Sequence, residues 1–126
     1  MIKNSVASNT MNNSQYQNSI EDNNFFQFQA AIANLLENKR EEIIAIAAKH
    51  GAFNVRIFGS VALNQANENS DIDFLIDYDI DKISPWFPAG LVLDLEKLLG
   101  RKVDVATESA LKERIREKVL AEAVAL

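Results

Sequence analysis

The chain has 126 residues, 48% of them hydrophobic, and no cysteine. This length suffices for one domain with its own core and is too short for two, and the absence of cysteine excludes disulfide bonds and thiolate metal sites. The formal net charge of -5 argues against binding along an extended nucleic acid, because such binding depends mainly on lysine and arginine contacts with phosphates. We therefore expect one domain that acts on a protein or on a free nucleotide.

The N-terminal segment, residues 1–24, is rich in Asn, Ser and Gln and shows almost no apolar periodicity. Such a composition cannot bury enough surface to offset the entropy of ordering the chain. We predict a disordered tail over residues 1–24, with Met1 and Met11 both candidates for the first residue, and a folded domain over residues 25–126. The sequence contains neither an apolar run of membrane-spanning length nor a secretory signal, so we expect a soluble, cytoplasmic protein with no membrane partner.

Two amphipathic helices are predicted to open the domain. Apolar residues recur at spacings of three and four from Phe25 to Leu36, and again from Ile43 to Ala48. Gly51 is a natural residue for the C-terminus of the second helix.

The rest of the chain alternates short strands with helices. Alternating or β-branched residues predict strands at 53–58, 71–77 and 102–106, and helical spacing predicts helices at 60–65, 89–99 and 108–123. This order indicates an α/β domain in which helices flank a small mixed β-sheet.

Two carboxylates and a glycine-serine turn form the strongest candidate site. Gly59 and Ser60 end the first predicted strand, and ten residues separate them from Asp71 and Asp73 on the second. Side chains alternate along a strand, so the two carboxylates point the same way while Ile72 points into the core. At about 4 Å and an effective dielectric near 20 they would repel by about 4 kcal/mol. A bound Mg²⁺ would remove this cost, since it typically uses one or two carboxylates together with substrate phosphates.

Asp104 is the candidate third acid. It lies in the middle of the third predicted strand, where an isolated charge is expensive to bury unless a metal is near. Gly59 would let the backbone approach a phosphate, the helix beginning at Ser60 would direct N–H groups and the positive end of its dipole toward it, and the Ser60 hydroxyl would add a contact. These features predict metal-assisted phosphoryl or nucleotidyl transfer, and the sequence has no Walker A lysine motif or kinase glycine loop.

The spacing of Gly-Ser, ten residues and Asp-x-Asp resembles the signature of minimal nucleotidyltransferases in the DNA polymerase beta superfamily. The segments at 55–62, 70–77, 95–105 and 114–124 are similar to MNT-domain antitoxins. The resemblance implies the minimal nucleotidyltransferase fold and the use of ATP and Mg²⁺ to attach AMP to a tyrosine of a HEPN-domain ribonuclease toxin. It also implies site roles: Asp71, Asp73 and Asp104 as catalytic and metal-binding residues, and Gly59 and Ser60 as contacts for the triphosphate.

The chain departs from the family pattern at Leu63 and Asn64, where members commonly have Arg and Gly. This departure favours an alternative function, a non-catalytic antitoxin that neutralises its toxin by direct complex formation. A third hypothesis is a nucleotidyltransferase that acts on a small molecule such as an aminoglycoside. Such enzymes usually need a second domain to hold the acceptor, for which this chain has no room.

Other conspicuous residues have simpler interpretations. Arg56 is predicted to form a salt bridge rather than a phosphate contact, and His50 to lie at a helix C-terminus, where a cation is favourable. Asp77, Asp79 and Asp81 are predicted to be solvated loop charges. Trp86 and Phe87 are predicted to form either a lid over the base, a partner contact or a loop packed on the core.

Overall fold

The computed structural model describes the backbone of residues 12–126 and the side chains of residues 25–126. Its helices are α1 (Asn12–Asn38), α2 (Arg40–Lys49), α3 (Gly59–Ala62), α4 (Ala89–Leu99) and α5 (Glu113–Glu122). Its strands are β1 (Ala52–Phe58), β2 (Ile72–Tyr78), β3 (Val103–Thr107) and β4 (Val124–Ala125), and one turn of 3-10 helix, Glu108–Ala110, precedes α5. No helix of this described part is long and apolar enough to cross a lipid bilayer.

The four strands form one mixed sheet in the order β3-β2-β1-β4. Strand β2 pairs antiparallel with β1 and parallel with β3, and β4 pairs antiparallel with the other edge of β1. The predicted α/β class with helices around a small mixed sheet is therefore confirmed. Strand β4 was not predicted, because a strand of two residues is too short to show alternation.

The hydrophobic core lies between one face of the sheet and helices α1, α2 and α4. The buried helical residues recur every four positions, which places them on one stripe of each helix. They are Ile32 and Leu36 of α1, Ile43 and Ala47 of α2, and Leu91, Leu95 and Leu99 of α4, and they pack with Ile72, Phe74 and Ile76 of β2. Burying one large side chain of this kind stabilises the fold by about 1.5–3 kcal/mol.

Helix α1 begins at Asn12, which is earlier than the start predicted at Phe25. Residues 12–38 contain neither Gly nor Pro, and Asn, Ser and Gln each cost no more than about 0.7 kcal/mol in a helix. A helix anchored by buried residues can therefore extend through this polar stretch. Residues 1–11 of the predicted tail lie outside the described residues, and the boundary between tail and domain at residue 24 stays a prediction.

In contrast to α1, two of the predicted helices are shorter than expected. Helix α3 ends at Ala62 rather than at residue 65, and Asn64 then takes a positive φ of 57°, which an α-helix cannot contain. The helix predicted at 108–123 is divided in two, because Leu111 has an extended backbone with a ψ of 136°. The Thr107 hydroxyl accepts a hydrogen bond from the Ala110 amide at 3.3 Å and closes the preceding 3-10 turn.

Candidate functional site

The register of the sheet brings the glycine-serine turn and the predicted acids to one end of the strands. Asp73 pairs with Phe58 of β1 on one side and with Asp104 of β3 on the other. Gly59 follows Phe58 directly, and Asp71 precedes the first residue of β2. Residues that are paired across neighbouring strands share a face of the sheet, so Asp73 and Asp104 project to the same side.

Gly59 lies directly against the carboxylate of Asp73. Its φ is 71°, in the left-handed region that favours glycine. A Cβ atom at this position would collide with Oδ2 of Asp73 and lie 3.2 Å from its Cγ. The carboxylate of Asp73 thus requires glycine at this position, and the predicted approach of a phosphate to Gly59 stays a prediction.

The carboxyl group of Asp73 has an unusual protonation equilibrium. Burial, and then the negative charges of Asp104 and Asp71, raise the pKa of Asp73 from 3.8 to about 6. The part of this shift that comes from Asp104 and Asp71 is the electrostatic cost that the sequence predicts for neighbouring carboxylates. It is the cost that a bound cation would remove.

Asp104 is exposed, so the expectation that its burial needs a metal was wrong. Strand β3 forms an edge of the sheet, and the face that carries Asp104 is open to solvent at this position. Asp71 is also exposed. Among the three acids, Asp73 alone is half-buried.

The donor atoms suit a hard cation, but the residues that the structure describes supply only part of a coordination shell. Among the described residues, no three carboxylate or imidazole side chains are arranged to hold a metal ion by themselves. Mg²⁺ commonly binds to one or two carboxylates and completes its six oxygen ligands with water and substrate phosphates. Asp73 with Asp71 or Asp104 fits that mode of binding, and the metal role predicted for all three acids stays a prediction.

The departure from the family pattern changes charge more than backbone geometry. Asn64, where glycine is usual, has a φ of 57°, and Asn is among the non-glycine residues that adopt this region most readily. Leu63, where arginine is usual, is exposed and contributes no cation. Because α3 has only four residues, its dipole contributes less to phosphate binding than the predicted longer helix would.

Arg56 forms ion pairs, as predicted. Its guanidinium contacts the carboxylates of Asp77 at 2.9 Å and Glu108 at 3.3 Å. Asp77 therefore belongs to β2 and to this ion-pair cluster, which corrects its prediction as a solvated loop charge. His50 lies at the C-terminus of α2, also as predicted, and its Nε2 is 2.7 Å from Oδ2 of Asp94.

The loop with Trp86 lies at the other end of the sheet from the acids. The ring of Phe87 packs against Tyr78 at 5.4 Å, and Tyr78 is the last residue of β2, about 20 Å from its first at the usual rise per residue. Trp86 is 81% exposed. This position does not favour the interpretation of the loop as a lid over the candidate site.

A polar cleft of about 380 Å³ adjoins Asp71, and its wall includes Arg101. Sequence reasoning did not single out Arg101. The available signal was a charged residue directly after Gly100, which ends α4, and shortly before β3. That signal alone does not indicate that the side chain reaches the segment before Asp71.

Comparison with known proteins gives consistent matches. A family model described as a nucleotidyltransferase domain matches residues 39–126. MJ0435 of Methanocaldococcus jannaschii, a candidate protein adenylyltransferase, is 41% identical over 91 residues, which are 72% of this chain and 96% of that protein. The protein adenylyltransferase MntA of Thermococcus cleftensis is 36% identical over 93 residues, with 67% and 92% coverage.

Two solved structures share the fold. A candidate minimal nucleotidyltransferase superimposes with a TM-score of 0.64 at 44% sequence identity, covering 72% of this chain and 92% of that chain. A toxin-antitoxin crystallised with AMP-PNP has a TM-score of 0.51 at 18% identity, covering 77% of this chain and 70% of that chain. Because its sequence identity is only 18%, the similarity to the second structure shows a shared fold and no more.

Proposed function

This chain belongs to the family of nucleotidyltransferase domains, and we propose that it is a Mg²⁺-dependent protein adenylyltransferase that acts as an antitoxin. Its reaction would transfer AMP from ATP to a tyrosine of a cognate HEPN-domain ribonuclease toxin in the cytoplasm. The observation that carries the proposal is the position of Asp73, which lies against Gly59 and pairs with Asp104 across the sheet.

The comparisons support the protein acceptor. The relatives MJ0435 and MntA are named for protein adenylylation, and the matched residues span 96% and 92% of their lengths. The likeness therefore covers nearly the whole of each relative. A small-molecule acceptor has no such support.

Each site residue has a proposed role that its position allows. Asp71 and Asp73 hold Mg²⁺, which neutralises charge on the phosphates when bound. The backbone at Gly59 and the hydroxyl of Ser60 contact the triphosphate. Asp104 is exposed, so it is accessible to a tyrosine of the partner and accepts the proton of the tyrosine hydroxyl.

The proposed reaction is a single displacement at the α-phosphorus of ATP. The tyrosine oxygen forms a bond to that phosphorus, the bond between it and the oxygen bridging to the β-phosphate breaks, and pyrophosphate leaves with the bond electrons. The proton from tyrosine passes to Asp104. The product is a phosphodiester between AMP and the toxin.

The alternative proposal is an antitoxin that neutralises its toxin by binding alone. The exposed Leu63, at a position where an arginine is usual, favours this alternative because its side chain supplies no cation for a phosphate. The intact pair of Asp71 and Asp73 opposes it, since a binding surface has no need for carboxylates that repel each other.

The direct test is transfer of AMP from labelled ATP to the proposed HEPN-domain toxin, when the two proteins are co-expressed and purified. We expect label on a toxin tyrosine, dependent on Mg²⁺ and located by mass spectrometry. Loss of ribonuclease activity should follow the extent of labelling. Full inhibition of the ribonuclease without any label would support neutralisation by binding.

A further inference from the structure

Arg101 contacts the segment that leads to Asp71, residues 66–71, here called the acid loop. Its Nη2 donates hydrogen bonds to the backbone oxygens of Glu68 at 3.3 Å and Ser70 at 3.4 Å. A guanidinium group can direct several donors from one rigid plane. A single side chain thus holds two carbonyl groups next to Asp71.

Helix α1 supports the same segment. The guanidinium carbon of Arg101 lies 5.0 Å from the centre of the Phe28 ring, a distance suited to a cation–π interaction. Gln29 donates a hydrogen bond from Nε2 to the backbone oxygen of Ala66, which is buried at the start of the acid loop. Residues 28 and 29 both precede the part that the family model matches, residues 39–126.

The acid loop also has hydrogen bonds of its own. The Asn67 amide donates to Ser70 Oγ at 3.0 Å, and the Asn69 amide donates to Asn67 Oδ1 at 2.8 Å. The Ser70 amide donates to the Asn67 carbonyl at 3.0 Å. These bonds all lie within the loop. Gln29 of α1 and Arg101, which lies between α4 and β3, connect the loop to the rest of the domain.

The environment of Arg101 indicates a constrained side chain. Its Nε atom is buried and has no hydrogen-bond acceptor among the residues that the structure describes. A buried donor without a partner carries a desolvation cost. The contacts of the same guanidinium with the acid loop and Phe28 offset this cost.

We propose that Arg101 is a positioning residue that, with Phe28 and Gln29 of α1, holds the acid loop so that Asp71 stays beside Asp73. Helix α1 thereby takes part in the site although it lies outside the matched domain. The part of this inference that concerns metal binding rests on the proposed function. The effect on the loop itself does not.

The first experiment measures hydrogen exchange of the full chain without ligand. Arg101→Met keeps an unbranched side chain over Phe28 but removes every donor. We expect exchange of the amides of Asn67, Asn69 and Ser70 to become about tenfold faster, which corresponds to the loss of about one charge-assisted hydrogen bond. The matched control is Arg114→Met on the exposed surface of α5, which should leave these amides unchanged.

A second variant keeps the test valid if Arg101→Met fails to fold. Phe28→Leu removes the aromatic face and retains an apolar side chain, and we expect exchange at the acid loop to rise about threefold, in line with a cation–π contribution. In the double variant, Phe28→Leu should add little to the effect of Arg101→Met, because the two residues act through one contact. Fully multiplicative effects would contradict a shared role.

The third measurement is Mg²⁺-dependent binding of AMP-PNP by calorimetry. Residues that orient metal ligands typically change metal affinity by about 10–100-fold when mutated, so Arg101→Met should weaken Mg²⁺ binding about tenfold. Arg101→Lys should recover part of the lost Mg²⁺ affinity. Arg114→Met should bind Mg²⁺ as tightly as the wild type. A merely structural contribution would lower the melting temperature without this selective loss.

The outcomes separate this inference from the proposed function. Unchanged exchange at the acid loop in both Arg101→Met and Phe28→Leu would overturn the positioning role. Faster exchange with unchanged Mg²⁺ affinity would overturn its connection to the metal. If the unmodified chain transferred no AMP to any toxin, the proposed function would fail while the exchange result remained.

Discussion

Gly59 and Gly100 share a backbone conformation but differ in their surroundings. Their φ angles are 71° and 65°. A Cβ at Gly59 would collide with Asp73, whereas a Cβ at Gly100 would meet no atom within 4 Å. Replacing Gly100 by alanine should therefore cause backbone strain alone, whereas replacing Gly59 should cause the same strain and also displace the carboxylate of Asp73.

We predict that Gly59→Ala lowers AMP transfer by at least about a hundredfold, because the added methyl group displaces the carboxylate that would bind the metal. Gly100→Ala should keep nearly normal transfer. Both substitutions should lower the free energy of unfolding by about 1–2 kcal/mol through strain at positive φ. Denaturant titration and an AMP-transfer assay measure the two effects, and equal loss of activity in both variants would contradict this assignment.

The raised pKa of Asp73 also contributes to the pH dependence of the stability of the fold. In the folded protein this pKa is about 6, against an ordinary value of 3.8, so the folded state binds more protons than the unfolded chain between these values. The contribution of this carboxyl to stability is fully present below the lower pKa and is lost as the pH rises through the higher one. Metal binding has the opposite dependence, because the cation needs the ionised carboxylate.

We predict that Mg²⁺-dependent binding of AMP-PNP is nearly constant above about pH 7 and weakens by about tenfold per pH unit below about 6, since one proton competes with the metal. Calorimetric titration across this range measures the effect. Asp73→Asn should bind the metal weakly, and its affinity should not fall further as the pH drops below about 6. If the affinity of Asp73→Asn fell with pH as steeply as that of the wild type, another group would be responsible.

At the level of secondary structure, helix α1 has a C-terminal part that packs on the core and an N-terminal part of polar composition. Its residues Ile32 and Leu36 are buried in the core, and Phe28 and Gln29 contact Arg101 and the acid loop. The preceding residues, 12–24, are helical in backbone and polar in composition. The predicted boundary at residue 24 can thus be tested by truncation.

We predict that deletion of residues 1–24 changes the melting temperature by no more than a few degrees and leaves AMP transfer nearly unchanged, because this segment has few apolar residues to bury. Deletion of residues 1–38 should instead lower the free energy of unfolding by about 3–6 kcal/mol, the contribution of two buried large side chains. Thermal and denaturant unfolding distinguish the two. A large loss of stability on the shorter deletion would show that the tail packs on the domain.

The elements that sequence predicts best are those with a strong apolar period. Helix α4 spans Ala89–Leu99, the range that its leucine spacing predicts, and Gly100 ends it as expected. The N-terminus of α1 and the end of α3 were misplaced, since polar residues without Gly or Pro give no stop signal and the φ of Asn64 depends on its surroundings. Strand β4 is defined by its pairing with β1, which local sequence does not encode.

For the whole molecule, the order of elements predicted the fold class, and the family signature predicted candidate site residues, whose roles stay a prediction. Tertiary structure added what local patterns lack. The pairing of Asp73 with Asp104 depends on the parallel register of β2 and β3, and the contacts of Arg101 with residues 68 and 70 span more than 30 positions of the chain. Exposure of Asp104 follows from the edge position of β3, which the sequence does not determine.

The double variant Asp71→Asn with Asp73→Asn distinguishes a protein that works by catalysis from one that works by binding alone. Asparagine keeps the shape of each side chain but removes the charge that Mg²⁺ needs, and relief of carboxylate repulsion should preserve folding. Wild type and variant are compared for AMP transfer to the co-expressed toxin and for protection of cells at equal protein levels.

We predict a loss of transfer of at least about two to three orders of magnitude, the usual scale for removing a principal electrostatic group, together with loss of protection from the toxin. Circular dichroism and the melting temperature should show a folded variant. Full protection by the double variant at native expression levels, with no modified toxin detected by mass spectrometry, would contradict the enzymatic function and establish neutralisation by binding.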